Sequence, residues 1–502
     1  MMGRRSTLAV AIAAMVVVAG GITLERVLPG PASPRAASAA VAYSGTWYCA
    51  AGRVAEGYDE WLMFSNPGST PTHAHVDYMG EKGVVGTQDA DVPAGRRVAL
   101  HVAGSLPSGP VSASVHFSGG ALVVERAVYS GREAGNLGVY AGLCADRPSR
   151  VWYVTGGTTY RGDDFVLTLM NPFESDAVAK VIVLTSEGQV EPRRLQSVYI
   201  PPKSRVSLLL NESAPDLGQA TAVVQARSGR LVVEGTLARS GSEGRPKGIT
   251  LLPSSHRLLR QFAFSAGQTP NNSGQWLEMA NPSTESVAVD LRFQTDSEQF
   301  TPSGLEEITV PAESVVEISL VERFPDHPAF GVVVDTQGGK GLSSALMSYR
   351  PTSAGGELAT QAPQGVASGE TSVGPASWAV VEGGASDEFK TKLTLLNPGS
   401  EPALAGVRLL GEQAEASPAA LAAIQVPAGR QITVDLNAGA PFQWFSILVK
   451  VSAGRLVVGA EIARSMPYGQ NAWELIAAYP LSGSADPRAG VPLVQDVGAS
   501  SP

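Results

Sequence analysis

The chain has 502 residues, 44% hydrophobic and 17% charged, with 55 glycines, 35 prolines and two cysteines. Domains usually run to roughly 100 to 200 residues, so several cores are expected, and the glycine and proline content favours short strands over long helices. A net charge of −9, dispersed and without a basic run, argues against nucleic acid as a partner.

Arg4 and Arg5 precede an apolar run from Leu8 to Leu24 that meets no charge before Glu25 and Arg26. This is the pattern of an export signal. At about 1.5 Å rise per residue the run spans about 25 Å, slightly less than a hydrocarbon core of ~30 Å. Two readings stay open: a signal peptide cleaved near Ala36-Ala37-Ser38-Ala39-Ala40, or an uncleaved signal anchor followed by a Pro/Ala-rich linker. With arginines on the inner side, either puts everything after residue 45 outside the cytoplasm, secreted or held in the cell membrane.

Beyond residue 45 one string recurs: an aromatic residue, a glycine five positions later, a polar turn, and an apolar strand ending in Asn-Pro. Its copies are Trp47, Gly52, Asn66-Pro67; Trp152, Gly157, Asn171-Pro172; Phe262, Gly267, Asn281-Pro282; and Trp378, Gly383, Asn397-Pro398. After each Asn-Pro an alternating strand follows. One face carries Ala74, Val76, Tyr78; Ala179, Val181, Val183; Val289, Leu291, Phe293; and Ala405, Val407, Leu409. The other face is mostly polar, as a half-buried antiparallel strand requires. Pro-led turns and Gly-led strands, such as Gly120 to Glu125 and Gly229 to Glu234, recur further along, and a short strand closes each copy.

Seven or eight short strands per copy of about 100 residues predict an all-β chain of four tandem β-sandwich repeats of immunoglobulin-like size. Their expected bounds are 46–147, 148–255, 256–360 and 377–481, with a flexible Gly/Ser/Pro-rich linker over 361–376 and a disordered tail over 482–502. Each copy is long enough for its own core, which favours separate sandwiches over a large propeller or a solenoid. Cys49 and Cys144 both fall in the first repeat, and an exported compartment permits their pairing as a structural clasp.

The repeated aromatic residues read as core filling, with each indole N–H needing one acceptor. Asn-Pro reads as turn chemistry, since Asn bonds nearby backbone and Pro ends the ladder. Trp61, Trp444 and Trp473 stand outside the repeated position and are the better candidates for exposure. The acidic pairs Asp59-Glu60, Asp163-Asp164 and Asp387-Glu388 could be read as calcium ligands or an acid/base pair, but neighbours on a strand point to opposite faces and so do not automatically converge, and no Asp-x-Asp-x-Asp-Gly loop is present. His73 and His75 share one strand face with metal-ligand spacing, but on the wet side and in one copy only. No Ser elbow, phosphate loop or dinucleotide fingerprint occurs, so no catalytic, metal or cofactor residue is assigned.

The string W-Y-x-A-x-G, an acidic turn, W-L-x-x-x-N-P and P-A-x-x-R resembles a functionally uncharacterised group of actinobacterial envelope proteins, over residues 46 to 481. The resemblance implies an N-terminal membrane segment, repeated extracellular β units and no catalytic assignment to carry over. The third copy departs from it at Phe262 and Gln275. The expected function is a non-catalytic extracytoplasmic scaffold or binding protein of the bacterial cell envelope, meeting envelope polysaccharide or a membrane glycosyltransferase. The alternatives are a carbohydrate-binding protein of the cell wall, recognised by an exposed row of tryptophans, and an envelope glycoside hydrolase, recognised by two acids facing across a cleft.

Overall fold

The computed structural model describes residues 43–102, 106–131, 138–241, 246–350, 357–365, 377–466 and 470–481. The expected N-terminal signal or anchor, most of the linker and the C-terminal tail lie outside the described residues. Among those described, no helix is long and apolar enough to cross a membrane.

The described chain is almost entirely antiparallel β, arranged in eight sheets. In the first stretch one sheet has the order Tyr43–Val54, Gly109–Gly119, Thr72–Gly80, Gly83–Val92. The facing sheet runs Arg96–His101, Tyr58–Asn66, Val123–Ser130, Gly138–Leu143. Corresponding orders return within 151–255, 261–365 and 377–481. There a short extra strand, Ser254–Ser255, Gln364–Gly365 or Tyr479–Leu481, pairs beside the first strand of its stretch. In the first stretch a bridge between Tyr48 and Ala145 and the Cys49–Cys144 disulfide take that place. Gln361 and Gln364, expected in a flexible linker, are instead buried on described strands. Backbone pairing and amide hydrogen bonds give these polar residues the partners that composition alone does not reveal.

All twelve residues of the apolar strand face are buried. The motif asparagines explain why the strand before them ends where it does. Asn171 donates to the carbonyls of Ser175 at 2.8 Å, Ile200 at 3.2 Å and Pro201 at 2.9 Å, and accepts from the Phe173 amide at 3.2 Å. Asn281 makes the corresponding bonds, Asn66 and Asn397 make all but the one to the proline carbonyl, and all four are buried. One side chain thus satisfies the carbonyls of two turns that pairing leaves open. Asn171→Ala is expected to cost about 2 to 3 kcal/mol, read as a lower urea midpoint, and an unchanged midpoint would contradict this account.

The described residues between 43 and 481 form a closed circuit rather than a string. The strands Gly138–Leu143, Lys247–Leu252, Glu357–Gln361 and Gln470–Ala477 gather about one axis, each touching the next and the last touching the first. Around them, Tyr43–Val54 packs on Val232–Ser240, Val151–Gly157 on Ser343–Arg350, and Gln261–Gly267 on Val457–Met466. The circuit closes where Ala379, Val381 and Leu448 enter the cluster that holds Trp47, Leu62 and Val124. The outer faces of the sheets carry the apolar residues that make this possible. Ile182, Leu184 and Val223 pack on Ala280 and Val315, while Ala263 and Val333 pack on Leu396 and Val457. Ile182 was visible in the sequence as an apolar residue on an otherwise wet face.

Candidate functional site at the closing seam

The first strand of each stretch carries an aromatic residue that is buried in the structure: Trp47, Trp152, Phe262 and Trp378. The indoles of Trp47 and Trp152 donate to the carbonyls of Leu122 at 2.9 Å and Leu231 at 2.7 Å. The Trp378 indole N–H is buried without an acceptor. At the motif glycines the chain passes against neighbours with no room for a side chain: a Cβ at Gly52 would collide with Glu60, at Gly157 with the Phe165 ring, and at Gly267 with the Phe330 ring. Gly383 lies against Phe445.

Around these glycines the strand bulges, as the register shifts between Cys49 and Gly52 and between Phe264 and Gly267 record. A bulge frees a backbone amide from the ladder. The amides concerned stand four residues after each aromatic, at Ala51, Gly156, Ala266 and Glu382, and a buried side chain accepts from every one. Glu234 accepts from Ala51 at 2.7 Å, Glu278 from Gly156 at 2.9 Å, Gln361 from Ala266 at 3.2 Å, and Glu125 from Glu382 at 3.2 Å. Glu125 and Glu234 occupy the same place in their Gly-led strands. In the third stretch that place is Ala345, and the acceptor moves to Glu278, directly opposite on the neighbouring strand. In the fourth it is Gly459, where a Cβ would meet Ser265 and Gln361. These acceptors were not singled out from the sequence, although a glutamate closing an apolar run, as in Leu122-Val123-Val124-Glu125, is the signal for a buried acid with a partner.

At the first seam Arg126 donates to Glu234 at 2.7 Å, both being buried. Arg205 reaches the carbonyls of Gly52 at 2.9 Å and Val111 at 2.6 Å, and burial lowers its pKa to about 10. Glu60, buried beside exposed Asp59, accepts from the Arg53 amide at 2.7 Å, and burial pushes its pKa up to about 7. Adjacent acids therefore do point to opposite sides there. Glu278, at the second seam, is raised by burial to about 8.

The closing seam forms a cavity of about 220 Å³, smaller than the one of about 470 Å³ that Gly52, Tyr140 and Arg205 line at the first seam, but flanked by tryptophans from both sides. Trp61 and Met63 come from the strand Tyr58–Asn66, Arg97 and Ala99 from its neighbour Arg96–His101, and Tyr129 from Val123–Ser130. Across the seam stand Glu382, Glu412, Trp444 and Arg464. Strand alternation puts Trp61, Met63, Arg97 and Ala99 on one sheet face, because Met63 pairs with Ala99 and Trp61 with His101. Trp61, packed on the His101 ring at 4.6 Å, and Trp444, packed edge-on against Phe389 at 4.7 Å, are half-buried and line the same cavity, whereas Trp473 is buried under the Arg350 guanidinium at 3.8 Å.

Behind the cavity Glu125, Glu382 and Glu474 bring one carboxylate oxygen each within 4.8 Å of one another, all buried. Tyr129 donates to Glu382 at 2.9 Å, and Arg97 donates to Glu412 at 3.3 Å. Burial, then the Glu382 charge, pushes Glu125 up to about 8. Burial raises Glu382, and burial followed by its two acidic neighbours raises Glu474 well above the ordinary carboxylate range. An acid whose pKa is higher folded than unfolded binds its proton more tightly in the folded state. Its contribution to stability is therefore full below about 4.5 and lost as pH rises to about 8. The melting temperature is expected to fall across that window, and Glu125→Gln is expected to flatten part of the fall. A variant that keeps the wild-type slope would show that this cluster is not its source.

The histidines stay on the wet face. His73 pairs with Asp91 at 2.9 Å, His75 with Asp89 at 2.7 Å, and His116 with Asp77 at 3.3 Å, with His73 and His116 exposed and His75 half-buried. Asp387 and Glu388 are exposed as well.

Residues 120–258 and 259–498 match a family of unknown function, DUF5719. No curated protein matches the chain.

Proposed function

The chain belongs to DUF5719, a family of unknown function, and with no activity to inherit from it we propose a function from the geometry: a non-catalytic, extracytoplasmic binding protein of the cell envelope whose ligand is a saccharide. The observation that carries this reading is the pair Trp61 and Trp444, which line one cavity from opposite sides of the closing seam. Aromatic faces flanked by charged groups suit a ligand with apolar ring faces and polar edges. We read the four pairs of sheets as four immunoglobulin-sized sandwich repeats joined in a ring, with the seam between first and last serving as the site. Extracytoplasmic placement rests on the arginine-led apolar run before residue 25 and is consistent with the disulfide.

A hydrolase is less well supported. A glycosidase holds its two carboxyls about 5 to 10 Å apart with the scissile bond between them. Glu125, Glu382 and Glu474 crowd within 4.8 Å and are buried, and Glu412, the other acid lining the cavity, is taken up by Arg97.

The test is retention of the full-length protein on isolated envelope polysaccharide, with Trp444→Ala beside the wild type. Wild-type retention and a loss of about 10-fold or more in the variant are expected, the scale of a central aromatic contact. Equal retention of both would remove the cavity from the account, and release of soluble sugar during the incubation would make the protein an enzyme.

A further inference from the structure

Arg97 is almost fully buried, yet its Nε–H has no acceptor, and its partner Glu412 is half exposed at 3.3 Å. Arg464 is held by aromatic faces: its guanidinium lies 4.1 Å from the Tyr129 ring centre, 5.7 Å from that of Trp444 and 6.0 Å from that of Phe389. No salt bridge engages Arg464 among the described residues. Two guanidinium groups thus line one small cavity, with a single solvent-side carboxylate between them and bulk water.

The buried acids do not cancel that charge. Three carboxyls within 4.8 Å in a buried setting repel one another when ionised, and burial further favours their neutral forms. The Tyr129 hydroxyl already occupies Glu382, and the Glu382 amide occupies Glu125. The cavity thus sets two guanidiniums against one carboxylate, Glu412, that stands outside the crowded cluster. An arginine with an unmet donor in such a place is a receptor for an oxyanion.

We propose that the closing-seam cavity recognises an acidic saccharide, a sugar ring bearing a carboxylate or a phosphate, with the ring against Trp61 and Trp444 and the anion between Arg97 and Arg464. This rests on the reading of the cavity as a saccharide site and adds the class of sugar. The carboxylate and phosphate forms share the recognising chemistry, and the measurement separates them. Arg464 is stacked by its face and bonded to Tyr129, and a guanidinium has five N–H donors in its plane, more than that one bond uses. Glu412 would be released toward solvent as the anion takes its place on Arg97.

The experiment is a titration of the full-length protein, followed by tryptophan fluorescence and calorimetry, with three probes: a glucose trisaccharide, a trisaccharide ending in glucuronate, and glucose 6-phosphate. At least one acidic probe is expected to bind about 10-fold or more tightly than the neutral one, the scale of a charge-assisted hydrogen bond, and the margin should narrow with added salt. Arg464→Gln should erase the margin, so that neutral and acidic probes bind that variant with equal affinity. Trp444→Ala should weaken all three probes. Arg464 is only partly buried, so its variant should fold, which an unchanged far-ultraviolet spectrum and melting temperature would verify. Equal binding of neutral and acidic probes, with Trp444→Ala weakening both, would overturn the acidic preference and leave the saccharide site standing. Failure of wild-type protein to bind any of the three would overturn both.

Discussion

Replacing Glu234 by alanine is expected to lower the free energy of unfolding by about 3 to 5 kcal/mol, the cost of leaving one member of a buried ion pair without its partner. The Arg126 guanidinium would be left buried against an apolar void, and the Ala51 amide would lose its acceptor at the same time. Arg126 already has Nε and Nη2 buried and unsatisfied, so the loss cannot be shared among other acceptors. The paired variant Arg126→Met with Glu234→Leu should recover much of the loss, because apolar isosteres remove the desolvation cost with the attraction. Urea melts of the three proteins decide this. A single-variant loss below about 1 kcal/mol would place the pair among those that contribute little to stability.

The second large effect is at Cys49–Cys144. The bridge closes a loop of 95 residues, for which the chain-entropy relation gives about 4 to 5 kcal/mol. The other stretches tie down the equivalent place with a short paired strand, whereas the first has two backbone hydrogen bonds, between Tyr48 and Ala145, at 2.9 and 2.8 Å. Changing both cysteines to serine should therefore cost most of that amount and loosen Gly138–Leu143, one of the four axial strands. Hydrogen exchange should show the loosening spreading to Lys247–Leu252 and Gln470–Ala477, which touch it. Exchange confined to residues 138–147 would mean that the axial strands are independently stable.

Much of the β architecture was legible because its determinants are local. Alternation in Ala74-His75-Val76-Asp77-Tyr78 fixes which face is buried, and an asparagine before proline marks the strand end through bonds to carbonyls four residues on. The closing of the ring was not legible, because its partners lie far apart in the chain and carry no common period. Tyr129 meets Glu382 across 253 positions and Arg97 meets Glu412 across 315. The bulge acceptors were hidden for a related reason: the task is the same at four places, but only Glu125 and Glu234 perform it from corresponding positions, while Glu278 and Gln361 act from other strands. Trp61 and Trp444 could be set apart as tryptophans outside the repeat, but nothing in either local sequence shows that they share a cavity. Trp473, set apart on the same grounds, is buried beneath Arg350.

A ring sealed by its own two ends has a last piece. Synthesis delivers the first stretch long before the residues that cover it, so the Trp47 ring waits for Tyr479, whose ring centre finally lies 4.9 Å away. Until then Glu125 has no Glu382 amide to bond, and the apolar face around Val124 and Ala127 lacks Ala379, Val381 and Leu448. Contacts of such long sequence separation form slowly, and a chain stopped before the fourth stretch would be left with an open, sticky flank. Truncation from the C-terminal side should therefore yield aggregation rather than a smaller soluble ring, and the residues that complete the seam cavity are the same ones that end the chain's exposure.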